Sequence, residues 1–281
     1  MRKVDVSLTT IKRLYFNEGK SQDEIAKELG VSQWVVCKRL RDAGLKARDR
    51  SAAGSHRLYD RNELALDELT PKTAWVIGWF VSDGFIETGR DAIGMRVSIS
   101  DLDILEKLKK FFNYTGPIYF YETKLKKTGK LYKGARLKIS SLALVEALGK
   151  YGIHRNKTTR EVFPKPILET DNEEIIKNFI KGVFEGDGSV LFDEVSNSLL
   201  FQVVGTKELL LSIQRQLMRF LGVGKTKLTR NISTTNHYAL RYRGRYNAMQ
   251  ILDWIYKDSS FHLDRKYNKY LAIKSFLECS T

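Results

Sequence analysis

Two carboxylates stand in matching surroundings 104 residues apart. Asp83 closes Val76-Ile77-Gly78-Trp79-Phe80-Val81-Ser82-Asp83-Gly84, and Asp187 closes Ile180-Lys181-Gly182-Val183-Phe184-Glu185-Gly186-Asp187-Gly188. Each stretch is apolar, carries small residues and ends in Asp-Gly. A carboxylate at a helix C-terminus opposes the helix dipole, and two such groups repel when brought together. A divalent cation relieves both penalties, and oxygen-only ligands supplemented by phosphate oxygens suit Mg²⁺. One acid per copy of a duplicated block points to a two-fold site where the acids meet.

The surrounding pattern says how the acids are positioned. Thr70-Pro71 is a cap followed by a first-turn proline, which starts a helix. Ala74, Gly78 and Ser82 recur every four residues, as do Asn178, Gly182 and Gly186 in the second copy. The spacing predicts one nearly bare face on each of two helices, which then cross closely and bring their C-terminal ends together. Glycine inside a helix costs about 1 kcal/mol relative to alanine, so such a face needs an offsetting contact.

Downstream of each motif the pattern switches to period two. Met95, Val97 and Ile99 alternate with Arg96, Ser98 and Ser100, and Ala135, Leu137 and Ile139 alternate with Arg136 and Lys138. In the second copy Tyr238, Leu240 and Tyr242 alternate with Ala239, Arg241 and Arg243. These strands have an apolar face and a basic one, which suits a half-buried sheet lying in a DNA groove. Helical stretches cover 102–112, 142–148, 208–221 and 248–255, so each copy reads αββαββα. A lysine follows the last helix of each half, Lys157 and Lys266. Both are candidates to approach the centre and stabilise charge on phosphate.

Composition narrows the partners. Lys plus Arg number 48 against 33 Asp plus Glu, a net charge of +15. That surplus favours a polyanion, nucleic acid before an anionic membrane surface. No acidic residue falls between Leu209 and Leu252, whereas Arg215, Arg219, Lys225, Lys227 and Arg230 do. The only cysteines, Cys37 and Cys279, and the scattered His56, His154, His237 and His262 build neither a disulfide framework nor a zinc site. No apolar run reaches membrane length, so a soluble, intracellular protein of the cytoplasm or nucleoid is expected.

The N-terminal stretch carries a different signal. Ser21 and Glu24 form a capping box, Ile25 and Leu29 share a face, Gly30 ends the helix, and Ser32 caps the next, with Val36 and Leu40 facing inward. This reads as a helix-turn-helix with Ser32, Gln33, Trp34, Lys38 and Arg41 as DNA contacts. The stretch after it is small, polar and basic, and reads as a linker able to track DNA.

Taken together, the paired motifs, basic strands and terminal lysines resemble a single-chain LAGLIDADG homing endonuclease, from about Asp67 to the C-terminus. The resemblance implies an α+β fold: a pseudo-two-fold pair of αββαββα repeats with saddle-shaped antiparallel sheets, here preceded by a small all-α domain. The domains expected are 1–48 (helix-turn-helix), 49–69 (linker), 70–169 and 170–281 (the repeats). It implies a monomer that makes a staggered cut in double-stranded DNA with Mg²⁺, for which Mn²⁺ substitutes. Asp83 and Asp187 would be the metal-binding acids, and Lys157 and Lys266 the pocket lysines. Arg96, Ser98, Arg136, Lys138, Gln202, Lys227, Arg241 and Arg243 are the sheet residues expected on DNA. The first motif departs from the family in having Val81 where the second has Glu185. Residues two apart on a helix face different ways, so Glu185 need not join the metals. A DNA-binding regulator that has lost cutting, and an RNA-splicing maturase, remain as alternatives.

Overall fold

A computed structural model of the chain describes residues 7–45, 58–124, 129, 131–156, 159–230 and 236–279. The chain divides into two compact units, Met1–Leu58 and Tyr59–Thr281.

In the first unit α1 (Leu8–Lys12) widens into a π-helical turn over Arg13–Asn17 and is followed by α2 (Gln22–Glu28) and α3 (Gln33–Asp42). The capping box forms: Ser21 Oγ accepts from Glu24 N at 3.2 Å while Ser21 N donates to Glu24 Oε2 at 2.7 Å. Gly30 takes the left-handed conformation, φ 62°, that turns the chain after α2. Ile11, Leu14, Ile25, Val36 and Leu40 make a small separate core. Ser32 stands at the start of α3 but makes no side-chain capping bond, contrary to the expectation.

The second unit is the duplicated body. Its first half runs α4 (Pro71–Ser82), β1 (Gly84–Ile86), β2 (Ala92–Ser98), α5 (Leu102–Phe111), β3 (Tyr119–Lys124), β4 (Leu131–Ser140) and α6 (Leu142–Lys150). After the short α7 (Lys165–Leu168), the second half runs α8 (Glu173–Asp187), β5 (Gly188–Asp193), β6 (Ser198–Gly205), α9 (Lys207–Leu221), β7 (Thr229–Arg230), β8 (Tyr238–Arg243) and α10 (Arg245–Tyr256). Both antiparallel sheets have the same strand order, β1-β2-β4-β3 and β5-β6-β8-β7. The αββαββα reading therefore holds in each half. One continuous apolar core, from Leu66 to Leu277, runs through both.

Three expectations change. Ile99 was placed on the inward face of β2; the strand ends at Ser98, Ile99–Asp101 form a 3-10 turn, and Ile99 is exposed. The expected linker 49–69 is not loose throughout. Leu66 is buried in the main core, Tyr151 Oη donates to Leu66 O at 3.0 Å, and Ser141 Oγ donates to Glu63 Oε1 at 2.9 Å. Residues 46–57, which carry the earlier part of that linker, lie outside the described residues. A further helix, α11 (Asp264–Cys279), follows α10 and was not foreseen.

Candidate active site and nucleic-acid interface

The crossing of α4 and α8 builds the centre. A Cβ placed on Gly78 would lie 2.4 Å from Phe179 O and 2.9 Å from Gly182 Cα; one on Gly182 would lie 2.2 Å from Trp75 O. These are backbone-to-backbone approaches, so only glycine serves at either position. The third small position meets side chains, not backbone: a Cβ on Gly186 would lie 2.0 Å from Ser82 Oγ and 3.2 Å from Asp83 Oδ2. The Asp83 carboxylate thus lies against the residue preceding Asp187. The two helix ends come together as their spacing predicts.

Asp83 is the exposed C-cap of α4, and Asp187 is the half-buried last residue of α8. A strand leaves directly from each. The following glycine is required in both copies because the aromatic ring four residues earlier covers it. A Cβ on Gly84 would sit 2.5 Å from Phe80 Cδ1, and one on Gly188 2.3 Å from Phe184 Cδ2. The motif's aromatic and glycine are one packing unit that turns the chain after the acid.

Beneath the acids the second half is charged where the first is apolar. Glu185 is 1 % exposed and accepts from Trp75 Nε1 at 2.7 Å and Trp79 Nε1 at 3.3 Å, both on α4. Burial pushes its carboxyl up, against the lowering pull of the Leu263 backbone, the Trp75 indole and Lys181. One turn earlier on α8, Lys181 donates to Ser259 Oγ at 2.7 Å and lies 4.4 Å from the Phe261 ring centre. Burial lowers its amine to about 8, while Glu185 pulls the other way. Glu185 therefore braces the helix pair from inside and does not join Asp83 and Asp187 at the surface.

Lys266 is expected after the last helix of its half, approaching the centre to stabilise charge on phosphate. It lies in the first turn of a further helix, α11, and is 6 % exposed. Its amine donates to Phe184 O at 2.7 Å and Gly188 O at 2.6 Å, the carbonyls that flank the end of α8. Burial brings it down to about 8, with Glu185, Asp83 and Asp101 favouring the charged form. Lys157, the corresponding candidate of the first half, lies outside the described residues.

The sheet residues divide by partner. Arg96 and Arg136 face each other across β2 and β4. Arg96 lies 4.8 Å from the Phe85 ring centre and Arg136 5.6 Å from that of Tyr119. Like charges placed directly opposite each other destabilise a sheet, so this pairing suits an anionic partner. Lys138 is committed to an ion pair with Glu87 and is less available. Ser98 caps the 3-10 turn. On the second sheet Arg241 Nε donates to Gln202 Oε1 at 2.6 Å, holding the guanidinium across the strands, and Arg243 is exposed. Lys227, expected on the sheet, is exposed in the segment before β7, because the strand begins only at Thr229. In the separate N-terminal unit Gln33, Trp34, Lys38 and Arg41 are all exposed. Trp34, at 63 % exposure, lies 5.1 Å from the Lys38 amine and is not a core residue.

No protein-family model and no curated protein matches the chain. Solved structures do. The homing endonuclease I-WcaI bound to its DNA recognition sequence aligns over 82% of this chain and 96% of its own, at 13% identity and a TM-score of 0.53. The fold is the LAGLIDADG fold. The I-SmaMI LAGLIDADG homing endonuclease bound to cleaved DNA is similar over 74% of this chain and 88% of its own, at 18% identity and a TM-score of 0.44. Full-length DUF199/WhiA from Thermatoga maritima is similar over 76% of this chain, at 14% identity and a TM-score of 0.47; this chain spans 64% of its length.

Among the described residues no group of three or more His, Cys, Asp or Glu is arranged to hold a metal, and no helix is long and apolar enough to cross a membrane. Two carboxylates are still a fitting donor set for Mg²⁺. That ion keeps several waters and takes its other ligands from substrate phosphate.

Proposed function

We propose that the protein is a site-specific DNA endonuclease, acting as a monomer, that makes a staggered double-strand break by Mg²⁺-dependent phosphodiester hydrolysis. The observation that carries this reading is the glycine-lined crossing of α4 and α8, which lays the Asp83 carboxylate against Gly186, the neighbour of Asp187. Two acids at one centre, one from each half, suit a reaction on two strands.

In this mechanism Asp83 and Asp187 would hold Mg²⁺, for which Mn²⁺ would substitute. Bound there, the ion supplies Lewis acidity and a more acidic water. Arg96, Arg136, Arg241 and Arg243 dock the sugar-phosphate backbone and base edges of double-stranded DNA from the two sheets. The basic surface makes binding weaken steeply with salt. No covalent protein intermediate is required.

A second reading is a DNA-binding regulator that does not cut. The N-terminal unit favours it, because its exposed Gln33, Trp34, Lys38 and Arg41 present a recognition surface of their own. The test is incubation with a library of candidate duplex sites and Mg²⁺ or Mn²⁺. The parent should cut one site on both strands. Asp83→Asn and Asp187→Asn should bind that site and fail to complete the break, with rates down at least about 100-fold. A parent that binds one duplex tightly and never cuts it establishes the regulator. A single-acid variant that cuts like the parent overturns the site assignment.

A further inference from the structure

The first turn of α11 fastens the two halves together beside the candidate centre. Arg265 donates from Nε to Asp101 Oδ1 at 2.6 Å and from Nη2 to Asp101 Oδ2 at 3.0 Å, a two-pronged pair. Asp101 belongs to the first half, in the turn that leaves β2. The preceding residue, Asp264, donates its backbone N–H to Asp103 Oδ2 at 3.0 Å, and its carboxylate pairs with Lys107 at 2.5 Å. Lys107 also bonds the carbonyl of His262 and pairs with Asp103 at 2.8 Å. The next residue along is Lys266, whose amine enters the second half and bonds Phe184 O and Gly188 O. Three consecutive side chains therefore bridge from the exit of β2 to the tip of α8.

We propose that Lys266, fixed from the first half by the Arg265–Asp101 clasp, is a positioning residue that sets the end of α8 and hence the Asp187 carboxylate. The physical need is clear at that end. The last carbonyls of a helix have no partner within it, and they form the negative pole of its dipole. An acid at that pole is repelled by its own helix. The Lys266 ammonium adds a second donor to Phe184 O, which already accepts from the Gly188 N–H, bonds Gly188 O just past the helix, and places a positive charge at that pole. Its backbone cannot drift, because the first turn of α11 is tied to α5 and the 3-10 turn by charged bonds. The carbonyls leave fewer of its hydrogens for a phosphate, so it acts through Asp187. The clasp also links the Arg96-bearing strand, which ends beside Asp101, to the acid of the other half.

This inference rests on the nuclease reading, and its test separates the two. Asp101→Asn and Arg265→Gln each loosen the clasp at a distance from the acids; the exchanged pair Asp101→Arg with Arg265→Asp rebuilds it. Amide hydrogen exchange of peptides spanning 184–189 is read in the free protein. Strand-resolved cutting is read on a duplex selected from a random library. Each single variant should speed exchange in that segment about ten-fold and slow cutting about ten-fold, with DNA affinity held within about two-fold. The exchanged pair should recover most of both. Unchanged exchange and cutting in the singles overturns the proposal. So does exchange that rises evenly through the chain, or an exchanged pair no better than the singles. A parent that cuts no duplex sinks the nuclease reading, while the exchange data still decide the clasp.

Discussion

The two motif helices share one backbone solution and fill it with opposite chemistry. Counting from their acids, Ile77 and Val81 of α4 correspond to Lys181 and Glu185 of α8, and all four are buried. The difference is complementary across the crossing. Glu185 accepts from the indoles of Trp75 and Trp79 on α4. Their counterparts on α8, Phe179 and Val183, have no N–H to offer, and Val81 offers no acceptor. A duplicated scaffold can thus lose the symmetry of its interior while its glycine contacts stay matched. Close backbone approach is the shared requirement; the polar contents are local to one half.

The sharpest way to break this comparison is at the shared glycines. Gly182→Ala should destabilise by about 3 kcal/mol or more, because the new methyl meets Trp75 O and the helices must separate. Gly78→Ala should do the same against Phe179 O. Urea melts check both, and a cost under about 1 kcal/mol at either position would mean that the crossing is looser than its geometry implies.

Next in size is the buried acid. Glu185→Val copies the first half's side chain without its surroundings. It strands the two indole N–H groups that Glu185 accepts from, at a cost of about 3 kcal/mol. Glu185→Gln keeps an acceptor and should cost about 1 kcal/mol or less near neutrality. The carboxyl is raised above its ordinary 4.5 in the folded state. The unfolded chain therefore gives up its proton first, and stability falls as pH rises through 4.5 toward the raised folded value. The Gln variant should lose that fall, and melts across the acid range decide it.

The smallest effect belongs to the buried lysines. The folded Lys181 amine is lowered to about 8 from an ordinary 10.5. Between those values the unfolded chain binds the extra proton, so stability rises with pH across that window and is insensitive to this group below it. Between about pH 7.5 and 9.5, Lys181 should contribute on the order of 1 kcal/mol to the rise. Lys181→Met should show a flatter profile by that amount, and an identical slope would show that the amine is better solvated than its burial indicates.

Much of this protein is legible in local order. The four-residue spacing of Ala74, Gly78 and Ser82 beside that of Asn178, Gly182 and Gly186 announces the crossing, because a helix repeats its faces at that interval. Alternation in Met95–Val97 and Ala135–Ile139 announces half-buried strands for the same reason. Ile99 misled because alternation persists one residue past the point where the chain turns, and periodicity carries no stop signal there. Glu185 was legible as set apart from Asp83 and Asp187, since residues two apart on a helix face different ways, but its partners were not.

What the sequence alone determined was the duplication, the element order of each half and the acids at equivalent helix ends, since all are properties of near neighbours along the chain. Tertiary structure alone decided that the Glu185 carboxyl lies under two indoles more than a hundred residues away. It also turned Lys266 inward to the tip of α8 and made Arg265 reach Asp101 in the other half. The reason is that hydrogen bonds and ion pairs act over a few ångströms in space, and only the crossing of the helices and the docking of α11 set which distant groups come within that range.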